Sequence, residues 1–208
     1  MVQVIKRRNS NEQIADYLSK ILKNIERISR IVRELVDFSR PSSYEEAPAD
    51  INEIIKSAVG IIRYDRRSKN LTYKLNLDPD LPETILVADH LLQVFLNILI
   101  NAVDASEGYG KVICVDSLTK NKAVVVKISD QGSGIPEAIQ QKIFEPFFTT
   151  KEVGKGTGLG LTVSYGFIKN LNGDITVKSK IGKGSKFIIS IPVKSKIEEQ
   201  DEVQNINR

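Results

Sequence analysis

Residues 93–106, QVFLNILINAVDAS, form an apolar run that is broken on one side only, by Asn97 and Asn101. A helix that is apolar around most of its circumference belongs in a protein interior, so the rest of the domain must pack around this segment. Four residues correspond to about 400° of helical rotation, so both amides project from one side. Leu96, Ile98, Leu99 and Ile100 pack around them. Buried amides are costly without partners, and two on one face imply something polar to hold. An amide oxygen is also a hard, neutral ligand of the kind Mg²⁺ shares with substrate phosphates. For this segment alone, two Asn residues that cap or bridge core elements are the competing reading.

Two glycine-rich turns follow. DQGSGIP at 130–136 places a carboxylate, Asp130, at the end of a strand-like run, with Gly132 and Gly134 behind it. Such an Asp can accept a hydrogen bond from an exocyclic amine, and the glycines allow a flat ring to approach. By itself this pattern is more often an ordinary turn. In GKGTGLGL at 154–161, Gly154, Gly156, Gly158 and Gly160 occupy alternate positions before a predicted helix. Backbone N–H groups at a helix start cradle anionic oxygens. Between the two turns lies FEPFFTTK, at 144–151.

Alternating apolar residues predict strands near 71–77, 111–118, 123–129, 174–180 and 185–193. The spacing of Ile51, Ile54, Ile55, Ala58, Ile61 and Ile62 predicts a helix opened by Asp50 and Glu53 at capping-box separation and ending near Arg67. The Asn-bearing helix is expected to open at Asp89. A short helix is expected after Pro136, and another from about Gly158 to Leu171. These elements predict an α+β sandwich in which antiparallel strands form one sheet faced by helices.

Upstream, Ile14, Leu18, Ile21, Ile25, Ile28, Val32 and Leu35 recur in steps of four and three, a heptad seam. Pro41 is expected to stop this helix at Arg40. The expected organisation is a bundle helix over 1–41, a linker over 42–49, a folded domain over 50–193 and a loose tail over 194–208. The chain has 208 residues, 41% of them hydrophobic, which is enough for one core and an appendage. A net charge of +4 is spread along the chain and only 6% of residues are aromatic, so nucleic-acid binding is not implied. No stretch has the roughly 18 apolar residues of a membrane helix, and no membrane contact is expected. Cys114, the single cysteine, is expected to be a buried structural thiol in a reducing compartment.

In this order, NILINAVDAS, DQGSGIP, FEPFFTTK and GKGTGLGL resemble the asparagine, first glycine, phenylalanine and second glycine boxes of the sensor histidine kinase ATP-binding domain. ERISRIVRELVDFSRP, at 26–41, resembles the second helix of that family's dimerisation and phosphotransfer bundle. The resemblance covers about 12–193 and implies a Bergerat-type α+β fold, a mixed, mainly antiparallel sheet faced by helices and preceded by a long bundle helix, that uses ATP and Mg²⁺. Carried over by position, it implies Asn101 as the metal ligand, Asn97 beside it toward the phosphates, and Asp130 on the adenine amino group between Gly132 and Gly134. Phe144, Pro146 and Phe148 would anchor a lid bearing Thr150 and Lys151. Gly156, Thr157, Gly158, Leu159 and Gly160 would hold the phosphates, with Ser185 near the adenine. Asn97 and Lys151 are the candidate catalytic residues, although for Lys151 a solvated loop lysine is an equal reading.

The sequence departs from the family at the phosphoacceptor. The only His is His90, followed by Leu91 and Leu92, and it is expected to be a helix-start residue rather than the acceptor. The implied function is therefore a catalytic fragment that phosphorylates a His on an acceptor helix outside this chain, with a response regulator receiver domain downstream. A homodimer through 14–38 and a cytoplasmic location, with a parent that can be membrane-anchored, complete the expectation. The alternatives are a Ser/Thr-directed relative of the same fold and a nucleotide-sensing adaptor without catalysis.

Overall fold

The computed structural model describes residues 14–22, 24–25, 45–152 and 156–194. Residues 14–22 and 24–25 are helical, with the seam residues Ile14, Ile21 and Ile25 exposed. The seam positions Ile28, Val32 and Leu35, the expected stop at Arg40, Gly154 and the tail beyond Lys194 lie outside the described residues.

Asp50 opens the first helix of the main domain, α1 (Ile51–Arg63), by accepting from the backbone N–H of Asn52 at 2.7 Å and of Glu53 at 3.4 Å. The capping side chain satisfies N–H groups that a helix start leaves unpaired. The helix ends at Arg63, four residues before the expected Arg67. Asp65 caps a new 3₁₀ turn over Arg66–Asn70 through the backbone N–H of Arg67, which competes with continued α-helix.

Strands β2 (Thr72–Leu77), β4 (Val112–Lys120), β5 (Ala123–Asp130), β6 (Asp174–Ser179) and β7 (Ser185–Pro192) form one sheet in the order β2-β4-β5-β7-β6. All pairs are antiparallel except β2 with β4, which are joined by the crossover containing the Asn-bearing helix α2 (Ala88–Ala105). Parallel neighbours require such a crossover. The sheet is therefore mixed and mainly antiparallel, as the Bergerat-type resemblance implies; the strand patterns alone predict antiparallel strands and do not reveal the parallel β2–β4 pair.

Burial alternates along the strands. Ile113, Val115, Val124, Val126, Ile128, Phe187, Ile189 and Ile191 turn inward and meet Ile55, Phe95, Ile98, Leu99 and Ile168 of the helical layer. Cys114 falls on the other face and is half-buried, so it is not the core thiol expected, because strand alternation gives the core to its neighbours Ile113 and Val115.

Two short strands escaped the sequence reading. β1 (Ala47–Ala49) lies in the segment expected to be a linker and pairs antiparallel with β3 (Thr84–Leu86), with Pro48 opposite Ile85. Three residues are too few to show a period. Helix α2 opens at Ala88, one residue before the expected Asp89 and without a side-chain cap. Past Pro136 the chain makes only 3₁₀ turns, Glu137–Ile139 and Lys142–Phe144. The last helix, α3, spans Gly160–Asn170. Among the described residues no helix is long and apolar enough to cross a membrane.

Candidate functional site

Three stretches distant in sequence meet on one flank of α2. Asn97 donates from Nδ2 to the Gly160 carbonyl at 2.9 Å and to Ser164 Oγ at 3.1 Å. The buried Ser164 hydroxyl itself donates to the Gly160 carbonyl at 2.8 Å. A Cβ on Gly160 would stand 3.4 Å from Asn97 Cγ, so the start of α3 lies directly on the amide. Asn97 is thus a bridge between two helices as well as a group on the candidate site. Replacing it with Asp removes both donors and sets a carboxylate oxygen against a carbonyl. Urea denaturation of Asn97→Asp at pH 7 is expected to show a loss of about 2–3 kcal/mol, two hydrogen bonds at ~1 kcal/mol each plus the repulsion.

One turn further along, Asn101 Oδ1 accepts from Lys151 Nζ at 2.9 Å, and the same ammonium donates to Asp104 Oδ2 at 2.6 Å. Lys151 is neither a solvated loop lysine nor free to meet a phosphate without first giving up these bonds. Asp104 Oδ1 accepts from Arg67 Nη1. Asp104 and Arg67 were both missed by the sequence reading. The i,i+3 spacing of Asn101 and Asp104 could have flagged the former, whereas no local signal marks Arg67.

At the other end of the site, Asp130 terminates β5 and is 7% exposed. Its Oδ1 accepts from the backbone N–H of Gly132 at 2.8 Å and of Ser185 at 3.2 Å. Burial raises its pKa above the ordinary carboxylate value, and these backbone donors pull the other way. The turn behind it admits no side chain: a Cβ on Gly132 would lie 2.3 Å from the Ala105 carbonyl oxygen, and one on Gly134, at φ +74°, would lie 2.1 Å from that of Lys180. Gly132 therefore presses on the end of α2, and Asp130, Gly132, Gly134 and the buried Ser185 form one cluster beside it.

The segment expected to be a lid is tied at both of its described ends. Phe147, at φ +65°, donates its N–H to the Gly158 carbonyl at 3.0 Å, and Gly158, at φ +71°, leaves no room for a Cβ against Phe147. Phe144 packs on Tyr165 of α3 at 5.6 Å between ring centroids, and Phe148 packs against the core. Pro146 is exposed and anchors nothing; the buried Ile143, one residue before the motif, fills that role because the 3₁₀ turn directs it inward. Gly156 sits against Thr149, since a Cβ there would be 2.5 Å from Thr149 Oγ1. Leu159 is buried at the α3 start, and its N–H meets Thr157 Oγ1 at 3.4 Å. Thr150 is exposed. His90 lies in the first turn of α2, stacked on Phe167 at 4.1 Å with the rings 8° from parallel, and burial lowers its pKa.

Asn101 and Asp104 hold one positive charge between two oxygens, a donor set that fits a hard cation. Among the described residues no three His, Cys, Asp or Glu side chains are grouped to hold a metal. A divalent ion there would complete its shell with water and substrate oxygens.

Residues 86–195 match the family model described as histidine kinase-, DNA gyrase B- and HSP90-like ATPase. The signal transduction histidine-protein kinase AtoS of Escherichia coli K12 is 34% identical over 192 residues, covering 92% of this chain and 31% of that protein. Sporulation kinase E of Bacillus subtilis is 32% identical over 88% of this chain and 25% of its own length. The chain thus spans about a quarter to a third of these two relatives. Among solved structures, the catalytic domain of histidine kinase ThkA has a TM-score of 0.63 at 30% identity, covering 72% of this chain and 96% of that one. Full-length ShkA in complex with AMPPNP, at 20% identity, has a TM-score of 0.72 over 94% of this chain and 42% of its own, which speaks for the fold. With the motif residues gathered around α2 and the matched stretch running from Leu86 to the residue after Lys194, the chain belongs to the family of histidine kinase-, DNA gyrase B- and HSP90-like ATPases.

Proposed function

We propose that this chain is the ATP-binding catalytic part of a sensor histidine kinase, which passes the γ-phosphoryl group of ATP to a His on an acceptor helix that these residues do not contain. The observation that carries the reading is the convergence on α2 of Asn97 and Asn101, the Asp130 turn and the Gly158–Gly160 helix start. Asp130 has a second carboxylate oxygen to accept from the adenine amino group, with Gly132, Gly134 and Ser185 shaping the base pocket. The N-terminus of α3, with Gly156, Thr157, Gly158, Leu159 and Gly160 ahead of and within its first turn, offers N–H groups and a positive dipole end to the phosphates. Thr150 and Lys151 ride on the lid.

Asn101 would hold Mg²⁺, whose chemistry is to neutralise charge on the phosphate oxygens. Asn97 stands where hydrolysing relatives of this fold carry a Glu base. An amide cannot accept a proton from water near neutral pH, which favours transfer to a protein side chain over hydrolysis.

The test mixes the chain with γ-labelled ATP and a separate His-bearing acceptor helix. Acid-labile phosphate on the helix is expected, with a steady-state ATPase rate below ~1 s⁻¹ in its absence. Acid-stable phosphate would point instead to a Ser/Thr-directed relative, and binding without transfer to an adaptor. The downstream partner in this proposal is a response regulator receiver domain. Ile14, Ile21 and Ile25, exposed in the helical residues 14–22 and 24–25, support self-association through 14–38. Sedimentation is expected to show dimer at high concentration, and a clean monomer would remove that part of the proposal.

A further inference from the structure

Two oxygens from α2 share one cation. Lys151 Nζ bonds Asn101 Oδ1 and Asp104 Oδ2 together, from residues three apart on one helix face. Each oxygen of Asp104 has its own partner. Oδ1 is taken by Arg67, and Arg67 is itself tethered by Asp65, which accepts from its Nε at 3.0 Å and its Nη2 at 2.5 Å. Arg67 therefore holds the Asp104 carboxylate from outside, and Oδ2 is the oxygen that faces Asn101's cation. Arg67 comes from the turn after α1 and Lys151 from the lid, so neither contact is local to α2.

An ammonium ion and a divalent metal cannot both use these lone pairs. Lys151 is 33% exposed, an exchangeable partner rather than a buried one. We propose that Asn101 and Asp104 together form a single exchangeable cation site: Lys151 fills it in the nucleotide-free chain, and the divalent ion that accompanies the nucleotide displaces Lys151 and takes both oxygens. The proposal rests on the nucleotide reading above and adds to it an anionic second oxygen, Asp104, and an internal competitor, Lys151. The competitor raises the apparent metal requirement by the reciprocal of the fraction of chains in which the site is clear.

The two partners of one ion pair then have opposite effects, which no purely structural pair would give. Binding of a non-hydrolysable ATP analogue is measured by calorimetry over a series of Mg²⁺ concentrations, and the Mg²⁺ midpoint is read for each variant. Lys151→Met is expected to lower the midpoint by about three- to tenfold, as removal of a competitor that holds most of the population requires. Asp104→Asn is expected to raise it about tenfold, because ligand charge sets affinity for hard cations. The double variant decides between the roles of Asp104. In the Lys151→Met background, Asp104→Asn still raises the midpoint if the carboxylate meets the metal, and leaves it unchanged if Asp104 serves only to anchor the lysine. An unchanged midpoint there, or single-variant shifts of the same sign, overturns the proposal. Glu107→Gln, which removes a carboxylate one turn further on, is the charge control; a rise equal to that of Asp104→Asn would overturn it also. Absence of any nucleotide binding by the unaltered chain would instead overturn the nucleotide reading on which the proposal rests.

Discussion

Asp130→Asn is expected to weaken ATP binding by about two to four orders of magnitude while leaving the fold at least as stable. Oδ1 of Asp130 is committed to the backbone N–H groups of Gly132 and Ser185. In the amide variant the carbonyl oxygen keeps those two bonds, so the NH₂ group takes the place of Oδ2. A donor then faces the donor amine of the adenine. The loss combines a charge-assisted hydrogen bond, about 1.5–3 kcal/mol, with an unpaired buried donor, about 1–3 kcal/mol. At roughly 1.4 kcal/mol per decade, that total spans the expected range.

Stability should move the other way. Burial raises the folded-state pKa of Asp130 above its unfolded value, so between those two values the folded chain holds a proton that the unfolded chain has released. Stability from this group is therefore full below the ordinary carboxylate range and is lost as pH rises through the raised pKa. Asn carries no such dependence. Urea midpoints measured from pH 4 to pH 8 should favour the Asn variant increasingly as pH rises, and calorimetry at pH 7 supplies the affinity. Undiminished ATP binding by Asp130→Asn would remove the adenine contact from the proposed function.

The largest loss of stability is expected at Phe95. It is 1% exposed, two residues before Asn97 on α2, and packs in the cluster that joins α2 to α1 and the sheet. Phe95→Ala should cost about 3–5 kcal/mol, the transfer free energy of the ring plus the cavity left by neighbours that cannot close in. A domain of this size has about 5–15 kcal/mol in all, so the variant should be marginal at 37 °C. Tyr64, 92% exposed at the end of α1, is the contrast: Tyr64→Ala should change stability by no more than about 0.5 kcal/mol. Denaturation with and without Mg-ATP links the core to the site, since a ligand that binds only the folded chain restores about 2.7 kcal/mol at a hundred times its dissociation constant. A Phe95→Ala loss below 1 kcal/mol would show that α2 is not the central packing helix.

Much of this architecture is legible in the residues because it depends on short-range geometry. Strand alternation places Ile113, Val115 and Val126 on one face whatever lies against them, and the four-residue interval puts Asn97 and Asn101 on one side of any helix. The Asp50 cap is visible for the same reason, as is the stop of α3 beside Asn172 and Gly173, where Asn172 takes φ +56°. Pattern fails where an element is too short to repeat, as in β1 and β3. It fails too where two local signals compete, as at Asp65, whose carboxylate ends α1 by starting a 3₁₀ turn. Of the residues expected to anchor the 144–151 segment, Phe144 and Phe148 pack inward whereas Pro146 is exposed, and the buried Ile143 just before it was not expected.

The sequence by itself determined the α+β pattern, the Asn-bearing helix and the family, since each rests on residue types at fixed spacing along the backbone. Only the tertiary structure decided that Asn97 bridges to Gly160 and Ser164, that Lys151 lies between Asn101 and Asp104, and that Arg67 secures Asp104 from another element. Those partners stand 37 to 67 positions apart in the chain. No backbone period reaches that far, so their meeting is set by how helices and sheet pack around one core, and by the charge and hydrogen-bond needs of the groups that packing brings together.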